Sequence, residues 1–217
     1  MDFAAARLNM VEGQLRTNKV FDEGVLDAFL MVPRERFVPS ALAGAAYRDD
    51  DVPLGGGRAL MEPMVLARLI ELAGIGADDK VLDIGCATGY GAAILGRLAN
   101  KVIALEQDSE LVRQARARLA ELGAIHVSVV EGPLERGYAA AAPYDVILIE
   151  GAVAGVPNAI VEQLAMRGRL VTVLKPGALV GQASLMTRIG RTLSHRPAFD
   201  AAAAPLAAFQ AEPSFAF

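Results

Sequence analysis

The stretch Val81-Leu82-Asp83-Ile84-Gly85-Cys86-Ala87-Thr88-Gly89-Tyr90-Gly91 constrains this chain more than any other. A short apolar run ends in an acid, and a glycine-rich turn then opens a helical pattern. That is the layout of a first parallel strand delivering a ligand loop to the end of an α/β sheet. Gly85 and Gly89 admit backbone angles that a side chain forbids, and they let a ligand approach the main chain. Glu106 closes the next apolar run, Val102-Ile103-Ala104-Leu105, where a second strand would set a carboxylate beside a ribose. A dinucleotide loop would read G-x-G-x-x-G, but Ile94 stands three positions after Gly91, where glycine or alanine is needed. The pattern therefore suits a single nucleoside.

Strand and helix patterns alternate from there. Val81 to Ile84 is the first strand, Gly89 to Leu98 the first crossover helix and Lys101 to Leu105 the second strand. Ser109 is placed to cap a helix carrying Leu111, Val112, Ala115, Leu119 and Leu122 on one side, stopped by Gly123. Further strands are expected over Ile125 to Val130, Val146 to Ile149 and Leu170 to Leu174, with a helix over Asn158 to Ala165. Runs around Leu179 to Arg188 and Thr192 to Phe199, split by Ile189-Gly190-Arg191, predict an antiparallel hairpin at the sheet edge. The expected fold class is α/β: a doubly wound, mostly parallel, Rossmann-like sheet with a C-terminal antiparallel hairpin.

A helical N-terminal extension precedes the sheet. Val25 to Leu30 is apolar at helical spacing, and Pro33 and Pro39 interrupt the chain after it. Gly55-Gly56-Gly57 reads as a flexible joint before a helix with Val65, Leu66, Leu69, Ile70 and Leu72 as its buried stripe. The reading places an extension over residues 1–60 and the ligand-binding domain over residues 61–217, together one compact unit. Ala201 to Ala204 reads as a short low-complexity linker, and Phe209, Phe215 and Phe217 either as a terminal strand tucked onto the sheet or as a docking tail for a partner.

A formal charge of −4 suits a polyanion poorly, so nucleic acid is not an expected partner. The first residues lack a basic segment followed by an apolar core, and no apolar run approaches membrane-spanning length. A cytoplasmic location, with no membrane partner, is the expectation. Cys86 is the single cysteine, which fits a reducing compartment and a small packing role. His126 and His195 are scattered, and Asp49-Asp50-Asp51 reads as a solvated turn, so no metal is expected.

Asp83, Gly85 and Gly89, spaced D-x-G-x-x-x-G, resemble the loop of the class I methyltransferases that bind S-adenosylmethionine. Other blocks narrow the resemblance to the protein-L-isoaspartate O-methyltransferases, which methylate the isoaspartyl carboxylate of damaged proteins. Met10-Val11 with Gln14-Leu15, then Asp22, Val25-Leu26 and Val32-Pro33-Arg34-Glu35-Arg36-Phe37-Val38-Pro39, resemble that family's N-terminal signature. Ala46-Tyr47, Pro53-Leu54, Gly57, Thr88-Gly89-Tyr90, Ala142-Pro143-Tyr144-Asp145 and Gly168-Arg169-Leu170-Val171 continue it. The resemblance implies a class I methyltransferase fold and S-adenosylmethionine as cofactor, with S-adenosylhomocysteine as product. It implies a protein or peptide with isoaspartyl sites as partner; the oligomeric state stays open. The implied cofactor-binding residues are Asp83, Gly85, Cys86, Ala87, Thr88, Gly89, Tyr90, Glu106, Gln107, Gly132, Pro133 and Leu134, with Tyr90 near the methionine part.

Three blocks depart from the family. Its substrate loop reads G-Q-T-I-S-Q-P, and here Gly57-Arg58-Ala59-Leu60-Met61-Glu62-Pro63 loses both hydroxyls. Its G-D-G becomes Gly132-Pro133-Leu134, and its threonine- and alanine-rich run becomes Glu150-Gly151-Ala152-Val153. Arg58, Ala59 and Met61 therefore hold the catalytic positions of the loop. Ala59 and Met61 cannot donate a hydrogen bond, whereas Arg58 can hold a carboxylate through two parallel bonds. Glu62, in the same loop, would repel an anionic acceptor. Two other readings stay open at this point: a diverged methyltransferase for another acceptor, and a catalytically silent protein that binds S-adenosylmethionine.

Overall fold

A computed structural model describes residues 1–177, 180–190 and 192–210. Leu179, Arg191, Phe215 and Phe217 lie outside the described residues. In the N-terminal extension, Asp2 caps α1 (Phe3–Met10) and Asp22 caps α2 (Glu23–Met31), whose Val25, Leu26, Ala28 and Phe29 are buried. The Gly55–Gly57 run is not a loose joint. It closes a hairpin between β1 (Val52–Gly55) and β2 (Arg58–Leu60), and all three glycines have the positive φ that a tight turn of this kind needs. α3 (Pro63–Ala73) comes next, with Pro63 in its first turn and Gly74 as a left-handed stop, burying Val65, Leu66, Leu69 and Ile70; Leu72 is only partly buried.

The central sheet then forms from β3 (Lys80–Ile84), α4 (Tyr90–Leu98), β4 (Lys101–Glu106), α5 (Ser109–Glu121), β5 (Val127–Glu131), β6 (Tyr144–Val153), α6 (Asn158–Val161) and β7 (Leu164–Leu174). Antiparallel β8 (Gln182–Ile189) and β9 (Thr192–Asp200) finish it, giving the order β5-β4-β3-β6-β7-β8-β9. The first five strands of that order run parallel. This is the expected mostly parallel sheet with a C-terminal hairpin.

Several boundaries move. The cap of α5 is Asp108, not Ser109: its carboxylate accepts from the backbone N–H of Glu110 and Leu111 at 2.9 and 3.0 Å. β5 starts at Val127, because Ile125 stands in a turn and is 87% exposed. The helix expected over Asn158 to Ala165 stops at Val161. There the Gln163 amide donates to the carbonyls of Arg136 and Ala159 and accepts from Tyr138 N–H, and Leu164 pairs with Tyr144 in the sheet.

Strand alternation sorts the core to two faces. Val81, Val102, Ala104, Val146 and Leu148 pack under α2, α3 and α4, while Leu82, Ile84, Ile103, Leu105, Ile147 and Ile149 share the other cluster with Ile160, Leu206 and Phe209. Residues 201–204 are therefore not a free linker: they lead a segment that docks on the sheet. The extension is tied down as well. The Glu71 carboxylate accepts from Phe21 and Asp22 N–H at 2.7 Å, and the Thr88 hydroxyl donates to the Phe37 carbonyl at 2.6 Å. Among the described residues no helix is long and apolar enough to cross a membrane.

Candidate active site

The C-terminal ends of β3, β4 and β6 meet at the crevice where the strand order reverses, the place where open α/β sheets take their ligands. The turn after β3 is pinned from below, with Gly85 N–H donating to the Leu105 carbonyl at 2.8 Å and Gly89 N–H to the Cys86 carbonyl at 2.7 Å. Gly85 and Gly89 have φ of 80° and 92°, and Ala87, a non-glycine residue, is held at 49°. That uncommon angle aims Ala87 N–H at Glu106 Oε2, 2.9 Å away. Glu106, fully buried, also accepts through Oε1 from Gln107 N–H at 2.8 Å and Asp108 N–H at 3.1 Å. Arg58 completes the arrangement: Nη1 donates to Glu106 Oε1 at 2.6 Å and Nη2 to the Gly85 carbonyl at 3.0 Å.

A second pair of acids lies on the α4 side of the sheet. Asp83 on β3 and Glu150 on β6 are fully buried or nearly so, and both Asp83 oxygens and Glu150 Oε1 lack any donor among protein groups. Two facing carboxyls can share a hydrogen bond only when one carries a proton. Burial, with Glu150 beside it, holds Asp83 well above the usual carboxylate range, and burial lifts Glu150 to about 7. Gly91 of α4 leaves the room they need, since a Cβ there would overlap the Glu150 carboxylate.

This pair predicts a pH dependence of stability. Above its ordinary value of 4.5, Glu150 ionises in the unfolded chain, yet it keeps its proton in the folded protein up to about 7. Stability is therefore lost across that window as pH rises, and Asp83 acts in the same direction. Glu150→Gln still accepts a bond from protonated Asp83 but cannot ionise. Thermal melts should show its advantage over the parent chain widening from pH 5 to pH 7.5; a constant gap would refute the shared proton.

Other expected residues take varied places. Tyr90 turns away from the crevice into the core, its ring edge-on to Phe29 and Phe37 with the Arg34 guanidinium 4.8 Å from its centre. Thr88 spends its hydroxyl on Phe37, and Cys86 is buried, its thiol pushed up by burial and the neighbouring acids. Gly132 N–H donates to the Glu106 carbonyl at 3.0 Å, and Leu134 is buried beside Leu206. Gln107, Leu134, Gly57 and Arg58 line a small space of about 140 Å³ over the strand ends. Ala59 is half-buried on β2, while the Met61 side chain joins the core. Asp49 and Asp50 are exposed, but Asp51 is not merely solvated: it accepts from Glu62 N–H at 2.8 Å and Ala204 N–H at 2.9 Å. Among the described residues no group of His, Cys, Asp and Glu side chains is arranged to hold a metal.

Residues 6–191 match the family model of the protein-L-isoaspartate(D-aspartate) O-methyltransferases. The chain belongs to that family. A protein-L-isoaspartate O-methyltransferase of Methylorubrum extorquens is 44% identical over 88% of this chain and 82% of its own length. One from Methanoculleus marisnigri is 38% identical over 85% and 84%. A solved protein-L-isoaspartate O-methyltransferase superposes with a TM-score of 0.80 at 25% identity, over 92% of this chain and 65% of that longer one. A Plasmodium falciparum protein assigned to the β-aspartate methyltransferases, solved in complex with S-adenosyl-L-homocysteine, shares the fold at a TM-score of 0.76 and 17% identity, over 92% and 97%. These relatives favour methyl transfer to isoaspartate over a different acceptor or a silent binder.

The residues suit the family's cofactor. Two buried acids stand at adjacent strand tips on either side of bare glycine backbone, and both Asp83 oxygens lack a donor. A nucleoside with an ammonium end offers donors of the kind such carboxyls accept.

Sequence reading did not single out Asp51, Arg34 or Leu206 as shaping the site, nor Glu150 as the partner of Asp83. Arg34 carried a signal in its place in the family's N-terminal signature, and Glu150 in its departure from the family's run after the strand; Asp51 was read only as part of a solvated turn.

Proposed function

We propose that this methyltransferase acts on the carboxylate of L-isoaspartyl residues in damaged proteins and peptides, with S-adenosylmethionine as donor. The observation that carries the reading is Glu106, buried at the tip of β4 and held by three backbone N–H groups beside the Gly85 turn. In the reading, Glu106 holds the ribose, the Gly85–Gly89 turn gives close access to the main chain, and Asp83 faces the amino-acid end. When bound, the cofactor supplies a methyl group on a sulfonium centre.

The chain's own task is positioning. An acceptor carboxylate with a pKa near 4 is ionised at neutral pH, so no general base is required. What matters is holding it at attacking distance and keeping water away. The loop that would do this is itself anchored: the Met61 carbonyl accepts from Arg34 Nη2 at 2.7 Å, and Asp51 holds Glu62 N–H. Met61 is buried in the core and Ala59 offers no donor, so Arg58 is the loop residue able to grip a carboxylate.

The test is transfer of a labelled methyl group from S-adenosylmethionine to an isoaspartyl peptide, with the matched aspartyl peptide as control. Selective labelling of the isoaspartyl peptide is the expected result; cofactor binding without labelling would remove the acceptor assignment. Arg58→Gln should raise the peptide KM by about tenfold without weakening S-adenosylhomocysteine binding. An unchanged KM would sink the role given to Arg58.

A further inference from the structure

We propose that Glu150 binds the cofactor: together with Asp83 it forms a receptor that gives up a proton to take the ammonium of S-adenosylmethionine. The inference rests on the cofactor reading above and deepens it at the amino-acid end, with an acid that stands in place of the family's threonine- and alanine-rich run. Asp83 lies opposite Leu148 and Ile84 opposite Ile149, so Glu150 comes level with Gly85, at the foot of the ligand turn and one step nearer the crevice than Asp83. Glu150 keeps 7% of its surface exposed and Asp83 none, which makes Glu150 the member of the pair that an incoming group meets first.

The space around this acid is cut for it. A Cβ on Gly91 would lie 2.6 Å from Glu150 Cδ, so a larger residue in that first turn of α4 would push the carboxyl aside. The charged and titratable groups around the pair are Arg58 on β2, Arg34 beyond α2, Glu106 on β4 and the Cys86 thiol in the turn. Arg58 spends its donors on Glu106 and the Gly85 carbonyl, and Arg34 on the carbonyls of Ala46 and Met61. Neither arginine donates to Asp83 Oδ1, Asp83 Oδ2 or Glu150 Oε1. An ammonium brings three N–H donors to a place where these buried oxygens have none.

The exchange balances as a proton leaving for a cation arriving. The O–H bond of a protonated carboxyl breaks, the proton passes to solvent, and N–H donors take its place on the carboxylate left behind. Burial keeps Glu150 protonated in the folded chain up to about 7, so below that pH an ammonium must displace the proton. Binding therefore tightens as pH rises toward neutrality, by at most about tenfold per pH unit, the limit for one proton. The amino-acid end also carries a carboxylate, which would draw a proton into the pair instead of driving one out. The sign of the exchange thus reports which group sits against Glu150.

Calorimetric titration of the full chain with S-adenosylhomocysteine at pH 6.5, repeated in two buffers of different ionisation heat, counts the protons exchanged. Methylthioadenosine, a nucleoside without the amino-acid end, is the control. The parent should release between about 0.5 and 1 proton with S-adenosylhomocysteine and none with methylthioadenosine. Glu150→Gln should release less than about half as much and bind S-adenosylhomocysteine about tenfold more weakly at pH 7.5, while holding methylthioadenosine as the parent does. Proton uptake, no exchange, or an undiminished release by Glu150→Gln would overturn the proposal. Equal weakening of both ligands in the variant would mark a structural role and overturn it too. If the parent bound neither ligand, the cofactor reading itself would fall, and the receptor with it.

Discussion

Arg34→Ala should destabilise the folded chain by about 3–5 kcal/mol and lower its melting temperature by about 10 °C. The Arg34 side chain is fully buried, with Nη1 left without a hydrogen-bond partner, so the bonds made by its other two nitrogens must offset its desolvation. Nε donates to the Ala46 carbonyl and Nη2 to the Met61 carbonyl, each at 2.7 Å, so one residue clamps the end of the N-terminal extension to the substrate loop. Its guanidinium also lies over the Tyr90 ring, which Phe29 and Phe37 flank edge-on. Alanine would leave two buried carbonyls without a donor and a cavity against Tyr90. Lysine keeps the charge but cannot reach both carbonyls with a planar fork, so Arg34→Lys should recover only part of the loss. Calorimetric melts of the three proteins decide the matter; an alanine variant melting within about 2 °C of the parent would refute the clamp.

The features that sequence reading recovered share a physical cause. Val81 to Ile84 and Val102 to Leu105 are apolar runs buried on both faces and stopped by turn residues, so the carboxylates of Asp83 and Glu106 fall at strand ends whatever the loops do. Of the features missed, the places of Leu206 and Glu150 are settled by contacts distant in sequence and the others by local geometry. Leu206 lies in an alanine-rich stretch without periodicity, and its place is fixed by pairing with Ala152. Ser109 and Asp108 are both able caps, and the choice between them is geometric. Three successive glycines look like freedom, yet with β1 and β2 paired on either side they make a tight turn. Glu150 stands out as a departure from the family, but only the sheet shows that it faces Asp83 across neighbouring strands.

Glu106→Gln should weaken S-adenosylhomocysteine binding by about 100-fold, the largest effect on the ligand expected from a near-isosteric change. The carboxylate is fully buried, with Oε2 on Ala87 N–H and Oε1 shared by Gln107 N–H, Asp108 N–H and Arg58. An amide can present an acceptor to one side only; its NH₂ group must then face either the Ala87 N–H or the two N–H groups at the start of α5. A charge-assisted acceptor for the ribose is lost at the same time, and bonds to charged groups are worth about 1.5–3 kcal/mol each. Arg58 loses its carboxylate partner in the same variant. The net loss therefore separates two contributions when Glu106→Gln is compared with the Glu106→Gln, Arg58→Gln double variant. Calorimetric titration of both with S-adenosylhomocysteine reads them out. If Glu106→Gln alone binds within about threefold of the parent chain, Glu106 does not hold the ribose.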